Sequence, residues 1–168
     1  RWPALASASW PGNDVPVAWP VVGAVLGGFL VLHMTEDMVY GPEAFSQSLD
    51  NSFHMNAIRW IQEHGDASSL TMGAVSAADQ EPTFYPAGWH DFVSLIYSTT
   101  GTSIATATIV TVLLTASFVW PCSLVAFSLS IPKLRRLQAL AIPAIIGGFA
   151  AFPGLLLRWG VLFPNLLG

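Results

Sequence analysis

The sequence predicts an all-α, polytopic membrane protein, and three observations predict it. Charge is missing from three long stretches: no Asp, Glu, Lys or Arg occurs from Val15 to Thr35, from Phe92 to Pro132 or from Leu137 to Leu157. Each is long enough to cross a hydrocarbon core of about 30 Å, which takes roughly 20 apolar residues as helix. The composition agrees, with 53% of the 168 residues hydrophobic, 10% charged and a mean hydropathy of +0.57, against about 25% charged in soluble domains. The segment between the first two stretches is the opposite, polar and acidic, and holds three of the four histidines, with His33 at the end of the first stretch.

The net charge of −4 comes with no basic patch, which argues against a nucleic-acid partner. Cys122 is the only cysteine, so no disulfide forms within the chain, and no zinc-type Cys/His spacing exists. The chain opens at Arg1 without a signal peptide and stops inside the apolar run Trp159–Gly168, which reads as an excerpt of a longer polytopic protein.

Taken in order, residues 1–14 form a cytoplasmic flank and 15–34 the first transmembrane helix, with Pro20 as a candidate kink. Its Gly23-Ala24-Val25-Leu26-Gly27 run offers a small-residue face for close helix approach. Residues 35–101 form an extracytoplasmic loop with juxtamembrane helices at about 51–64 and 89–100. A second crossing at 102–130, rich in Ser and Thr, is expected to contact other helices. The loop at 131–136 carries Lys133, Arg135 and Arg136 without an acid. Short basic loops stay cytoplasmic, which sets the orientation. A third crossing at 137–157 contains Pro143, Pro153 and Gly147-Gly148, so a bend is expected, and 158–168 begins a further apolar segment. The loop between the first two crossings holds nine of the ten acids and one base, Arg59, in keeping with the outer side.

In the first loop helix, Asp50 stands at the N-cap position and Gly65 at the C-terminal stop. Phe53, Ala57, Trp60 and Ile61 share a face at helical spacing, which is expected to lie on the membrane. The second pairs Trp89, Phe92, Leu95 and Ile96 on one side with His90, Asp91 and Ser94 on the other, an interfacial pattern ended by Gly101. Residues 66–80, small and polar, read as a surface loop.

Among residues suited to chemistry, Asp50 and His54 lie one helical turn apart. A carboxylate beside an imidazole serves as a general base or holds a metal; the same Asp50 equally reads as a helix cap. Glu36-Asp37, directly after the first crossing, is either a second base candidate or a solvated flank. The aromatic turn Phe84-Tyr85-Pro86-Ala87-Gly88-Trp89 suits sugar stacking, lipid headgroups or an ordinary aromatic belt. His90 and Asp91 are adjacent and diverge on a helix, a poor metal pair. His33 and His64 have no evident partners.

These motifs carry a resemblance. Asp50-Asn51-Ser52-Phe53-His54-Met55-Asn56-Ala57-Ile58-Arg59, followed by Phe84-Tyr85-Pro86-Ala87-Gly88-Trp89-His90, resembles an uncharacterised bacterial polytopic family of the GT-C superfamily of membrane glycosyltransferases. The resemblance covers about Val15 to Phe127. It implies a GT-C-like fold and a multi-pass protein of the bacterial plasma membrane with its active site on the extracytoplasmic side. It further implies sugar transfer from a polyprenyl-phosphate donor to an envelope glycan, lipid or protein hydroxyl, with inversion. One Asp base suffices because the phosphate leaves readily, so a hydrolase pair is unnecessary. Carried onto this chain, the base is Asp50 first and Asp37 second, with Asn51, His54, Arg59, Tyr85, Trp89 and His90 lining the substrate. Charge developing on the phosphate needs a cation or hydrogen-bond donors. No Asp-x-Asp triplet is present, so no firmly bound metal is expected, although the resemblance leaves room for a divalent cation, Mg or Mn. The rival readings are a transporter and a non-catalytic membrane assembly subunit. The absence of charge within the crossings and the long loop both weigh against a transporter.

Overall fold

A computed structural model describes residues 16, 18–35, 41, 43–44, 46–76, 83–131, 136–148, 150–158 and 162–166. The described residues are helical, joined by turns. The expected flank 1–14, the pair Glu36-Asp37 and most of the basic loop (132–135) lie outside them.

Helix α1 (Ala18–Thr35) and a second long helix (Ile104–Ser130) are long and apolar enough to cross a membrane. Their outward faces are apolar, with Trp19, Val25, Phe29, Phe118 and Phe127 all exposed. A water-facing surface rarely carries contiguous apolar patches of that extent, so these faces point to a membrane location. Pro20 falls in the first turn of α1, where an N–H has no helical partner, so no kink is needed.

The buried stripe of α1 is Gly23, Ala24, Gly27, Gly28, Val31 and Thr35, the small-residue face the sequence shows. The second long helix consists of α4 (Ile104–Leu114), a π-turn at Thr115–Val119 and α5 (Trp120–Ser130). Pro121 cannot donate a hydrogen bond to the Ser117 carbonyl, which is the local reason for the irregular turn. Gly28 of α1 packs against that carbonyl so closely that an added Cβ would lie 2.1 Å from Ser117 O.

Helix α6 (Arg136–Gly147) packs along α1, where a Cβ on Gly27 would sit 2.6 Å from Pro143 O. The expected third crossing is not continuous. After Gly148 the chain turns, Phe152 is extended (φ −141°, ψ 132°), and a short α7 (Leu155–Arg158) follows. Helix α6 has ended at Gly147, and proline disfavours helical backbone in the residue before it, which accounts for the extended Phe152. Among the described residues, two helices of spanning length therefore stand where three were expected.

The loop folds into two helices, α2 (Leu49–His64) and α3 (Gly88–Thr100), that pack on each other and on α4. The N-cap of α2 is Ser48, not Asp50: the Ser48 hydroxyl accepts from the Asn51 N–H at 3.2 Å. Asp50 sits in the first turn, exposed, where its charge suits the helix dipole. We expect Ser48→Ala to cost about 1 kcal/mol of stability and Asp50→Ala less, measured by thermal unfolding. A larger loss for Asp50→Ala would return the cap to Asp50.

Gly65 ends α2 at φ +66° and Gly101 ends α3 at φ +67°, both as expected for left-handed stops. Two expected faces are corrected. Phe53, Ala57, Trp60 and Ile61 are not laid on a membrane. They pack against Met72, Ala67, Val75, Tyr85 and Ala87 of the same chain. Met72 is fully buried in a short 3-10 turn (Met72–Ser76), so the 66–76 stretch is a packed cover rather than a bare surface loop. On α3, Trp89, His90, Val93 and Ser94 are buried while Asp91, Phe92 and Leu95 are exposed, so His90 faces inward instead of sharing a wet side with Asp91.

Candidate functional site

The centre of the loop layer is a pair of histidines from different helices. Helix α2 buries Asn51, His54, Ala57, Ile58 and Ile61 at helical spacing, and α3 buries Trp89, His90 and Val93 opposite them. This brings His54 Nδ1 to 2.9 Å from His90 Nε2, with the two residues only 3% and 0% exposed. Phe53, Tyr85 and Phe163 surround the pair with ring centroids 5.7 to 5.9 Å from one or other imidazole. Further along the same interface, the Gln62 amide donates to the Ser94 hydroxyl and Ser98 donates to Gln62 Oε1 at 3.0 Å, fixing the register of α2 on α3.

Burial, then the neighbouring His54, lowers the His90 pKa from 6.5 to about 4; the Pro86 carbonyl opposes the shift. His90 is therefore neutral at pH 7. Its Nδ1 is buried without a hydrogen bond of full geometry and lies toward that carbonyl. The tautomer that suits both ends carries the proton on Nδ1, leaving the Nε2 lone pair to accept from His54 Nδ1–H.

Because the folded pKa is depressed, stability is fully present above about pH 6.5 and is lost as pH falls toward 4, where the unfolded chain takes up a proton the folded chain refuses. We expect a loss of about 2 kcal/mol between pH 7 and pH 5, read by thermal unfolding with chelator present and absent from His90→Gln. Level stability across that window would contradict the buried neutral imidazole.

The expected site residues separate into two groups. Asn51, His54, Trp89 and His90 are buried at 3% exposure or less, so they shape the interior instead of meeting substrate directly. Asn51 donates from Nδ2 to the Ser46 carbonyl at 2.7 Å, while its Oδ1 is buried without a partner. Asp50 is exposed, and Tyr85 is half-buried against Phe53 with ring centroids 4.5 Å apart. Burial and then the charge of Asp50 raise the Tyr85 pKa, which places that carboxylate near the phenol.

Arg59 points elsewhere. It lies nine residues beyond Asp50, half a revolution round the helix, and pairs with Glu63 at 2.5 Å on the exposed surface. Together with Ser52, Met55, Asn56, Ile104 and Ala105 it lines an open groove of about 490 Å³ between α2 and α4. Asp37 lies outside the described residues. His64 stacks on Trp60 at 3.6 Å and 15°.

The sequence reading missed Glu43. Its Oε1 accepts from the Ser103 and Thr106 hydroxyls, each at 2.9 Å, at the start of α4. The Ser103-x-x-Thr106 spacing was the available signal for a cap there. Nothing in sequence spacing marks a carboxylate 60 residues earlier as its partner.

Fold and site together define a helical protein with two helices of membrane-spanning length, capped by a two-helix layer built round a buried histidine pair. The chain belongs to DUF6541, a family of unknown function, which it matches over residues 1–168. No curated protein and no solved structure matches it.

Proposed function

We propose that this chain is part of a polytopic membrane glycosyltransferase. In this reading it moves a sugar from a polyprenyl-phosphate donor to an envelope acceptor at the membrane surface that carries α2 and α3. The observation that carries the reading is Asp50: an exposed carboxylate in the first turn of a rigidly packed helix, beside the Tyr85 phenol, at the ends of two helices of spanning length. A base must be reachable by the acceptor hydroxyl and held in place by its surroundings. Asp50 meets the first condition by exposure and the second through the Ser48 cap and the Asn51–Ser46 hydrogen bond on either side of it.

In the proposed reaction the Asp50 carboxylate takes the acceptor proton as the hydroxyl oxygen attacks the anomeric carbon. The bond to the phosphate oxygen breaks, and inversion follows. The Tyr85 ring lies where a sugar face can stack. Trp89, His54 and His90 support the site from behind. Arg59, turned away and already paired, is not assigned to the phosphate. The exposed apolar faces of both long helices support lipid contact, and the rule that short basic loops stay cytoplasmic, applied to Lys133, Arg135 and Arg136, favours a reaction outside the cell.

The test is transfer from polyprenyl-phosphate sugars by the full-length membrane protein, wild type beside Asp50→Asn. Transfer retained by the variant would move the base to Asp37 or Glu36. A wild type inert with every donor would favour the transporter or assembly-subunit reading.

A further inference from the structure

We propose that the groove between α2 and α4 binds one membrane phospholipid of the ethanolamine type, its phosphate on Arg59 and its ammonium on Glu63. The inference is independent of glycosyl transfer and of Asp50, which lies half a revolution away on α2.

The first observation is the groove itself. Ser52, Met55, Asn56 and Arg59 line one wall, at the i, i+3, i+4, i+7 spacing of a single helical face. Ile104 and Ala105, in the first turn of α4, line the other. The volume of about 490 Å³ falls in the range of small-ligand sites, about 300–1,000 Å³. Met55, Ile104 and Ala105 offer apolar surface to a glycerol backbone and the first acyl carbons. Arg59 brings the one formal charge of the lining, and Asn56, three residues before it, adds an amide.

The second observation is depth. The helix that begins at Ile104 runs 27 residues to Ser130, about 40 Å at a rise of about 1.5 Å per residue. A hydrocarbon core is about 30 Å thick, so the ends of this helix reach the headgroup layer. The groove lies at one of those ends. Tyr97 of α3, a residue type enriched at that depth, stands near enough to act on the Arg59 charge.

The third observation is the charge pattern. Arg59 Nε donates to Glu63 Oε1 at 2.5 Å. Among the described residues, nothing takes the two terminal nitrogens of Arg59 or the second oxygen of Glu63. An exposed i,i+4 pair adds little to the fold by itself. This one also runs against the helix dipole: Glu63 stands in the last turn of α2, where a carboxylate is disfavoured and a cation favoured. An ammonium group beside Glu63 relieves that mismatch. The remaining guanidinium donors suit two oxygens of a phosphate.

In an ethanolamine headgroup the phosphate and the ammonium are two carbons apart, so one lipid meets both partners. A glycerol headgroup brings the phosphate without the cation, and the quaternary nitrogen of choline has no N–H to give Glu63. A second carboxylate at this end of α4, Glu43, is held by Ser103 and Thr106. Those two residues lie about half a revolution round α4 from Ile104 and Ala105, so Glu43 does not oppose a phosphate in the groove.

The test uses the full-length protein, delipidated in detergent and given phosphatidylethanolamine, phosphatidylglycerol or phosphatidylcholine. Native mass spectrometry counts retained lipid, and thermal unfolding reads its effect. The expected result is one equivalent of phosphatidylethanolamine retained above the annular background, in preference to the other two, with a raised thermal midpoint. Arg59→Gln is expected to weaken that retention about tenfold, the effect of losing a charged hydrogen bond. Glu63→Gln is expected to abolish the preference over phosphatidylglycerol and phosphatidylcholine. Both side chains are exposed, and surface substitutions of this kind leave folding nearly unchanged. Equal retention of the three lipids by wild type overturns the proposal, as does a preference for phosphatidylglycerol. Retention of phosphatidylethanolamine unchanged in Arg59→Gln overturns it as well.

Discussion

Replacing Asp50 by asparagine is expected to reduce sugar transfer by about 10²- to 10⁴-fold while leaving the fold intact. The first part follows from the role of a lone base: Asn has nearly the shape of Asp but cannot accept the acceptor proton. The second part follows from the structure. Asp50 is exposed and does not cap α2, because Ser48 does. What the fold loses is the favourable placement of a negative charge in the first helical turn, about 0.3–1 kcal/mol. The measurement is donor-dependent transfer by the full-length protein in detergent or liposomes, with thermal unfolding run on the same preparations. A variant that transfers at the wild-type rate refutes Asp50 as the base. A variant that loses transfer and unfolds early shows that the carboxylate serves the structure.

The second large effect is structural and lies at the other end of the molecule. Gly28→Val is expected to destabilise the protein by about 3 kcal/mol or more, or to abolish its accumulation. The first side-chain atom added at Gly28 would lie 2.1 Å from the Ser117 carbonyl oxygen. The obstacle is backbone, so no rotamer change relieves it; α1 and the π-turn must separate. Even Gly28→Ala carries this clash. Val25, on the same helix but 65% exposed, is the control, and Val25→Leu is expected to change stability by less than about 0.5 kcal/mol. Detergent-extracted yield and thermal unfolding of both variants make the comparison. Equal behaviour would mean that α1 does not approach the second long helix at Gly28.

These two predictions differ in how far the sequence alone supports them. The Gly-rich face of α1 is visible as residues spaced along one side of a helix, and so is the need for a close neighbour. Which neighbour is a matter of packing. Gly28 meets the Ser117 carbonyl of the π-turn, and Gly27 meets Pro143 on α6. Both partners are more than 80 residues away in sequence.

The same division runs through the loop. Gly65 and Gly101 mark helix ends directly, since a left-handed stop favours glycine. The start of α2 was misjudged because Ser48 and Asp50 are both good caps. The choice between them is settled by which side chain reaches the Asn51 N–H. The uncharged run with Pro143, Pro153 and Gly147-Gly148 reads as one bent crossing; that the helix ends at Gly147 and that Phe152 is extended is seen only in the fold.

The histidines show the limit most clearly. Spacing along α2 pairs His54 with Asp50, the neighbour one turn away. The fold pairs it with His90, because α2 and α3 pack through their buried faces. It turns Arg59 to the opposite side of α2 and pairs it with Glu63.

What the sequence determined by itself is what depends on local periodicity and transfer energy: the two long apolar helices, though not the break in the third expected crossing, two helices in the polar segment, and glycine stops at their ends. Only the tertiary structure decided which face of each amphipathic helix is covered, that the covered faces bring two imidazoles together in a buried interior, and that Asp50 is left in solvent. The physical reason is that helix formation and membrane partition are short-range along the chain, whereas the burial of His54 against His90 depends on how two helices 24 residues apart at their nearest ends settle on one another.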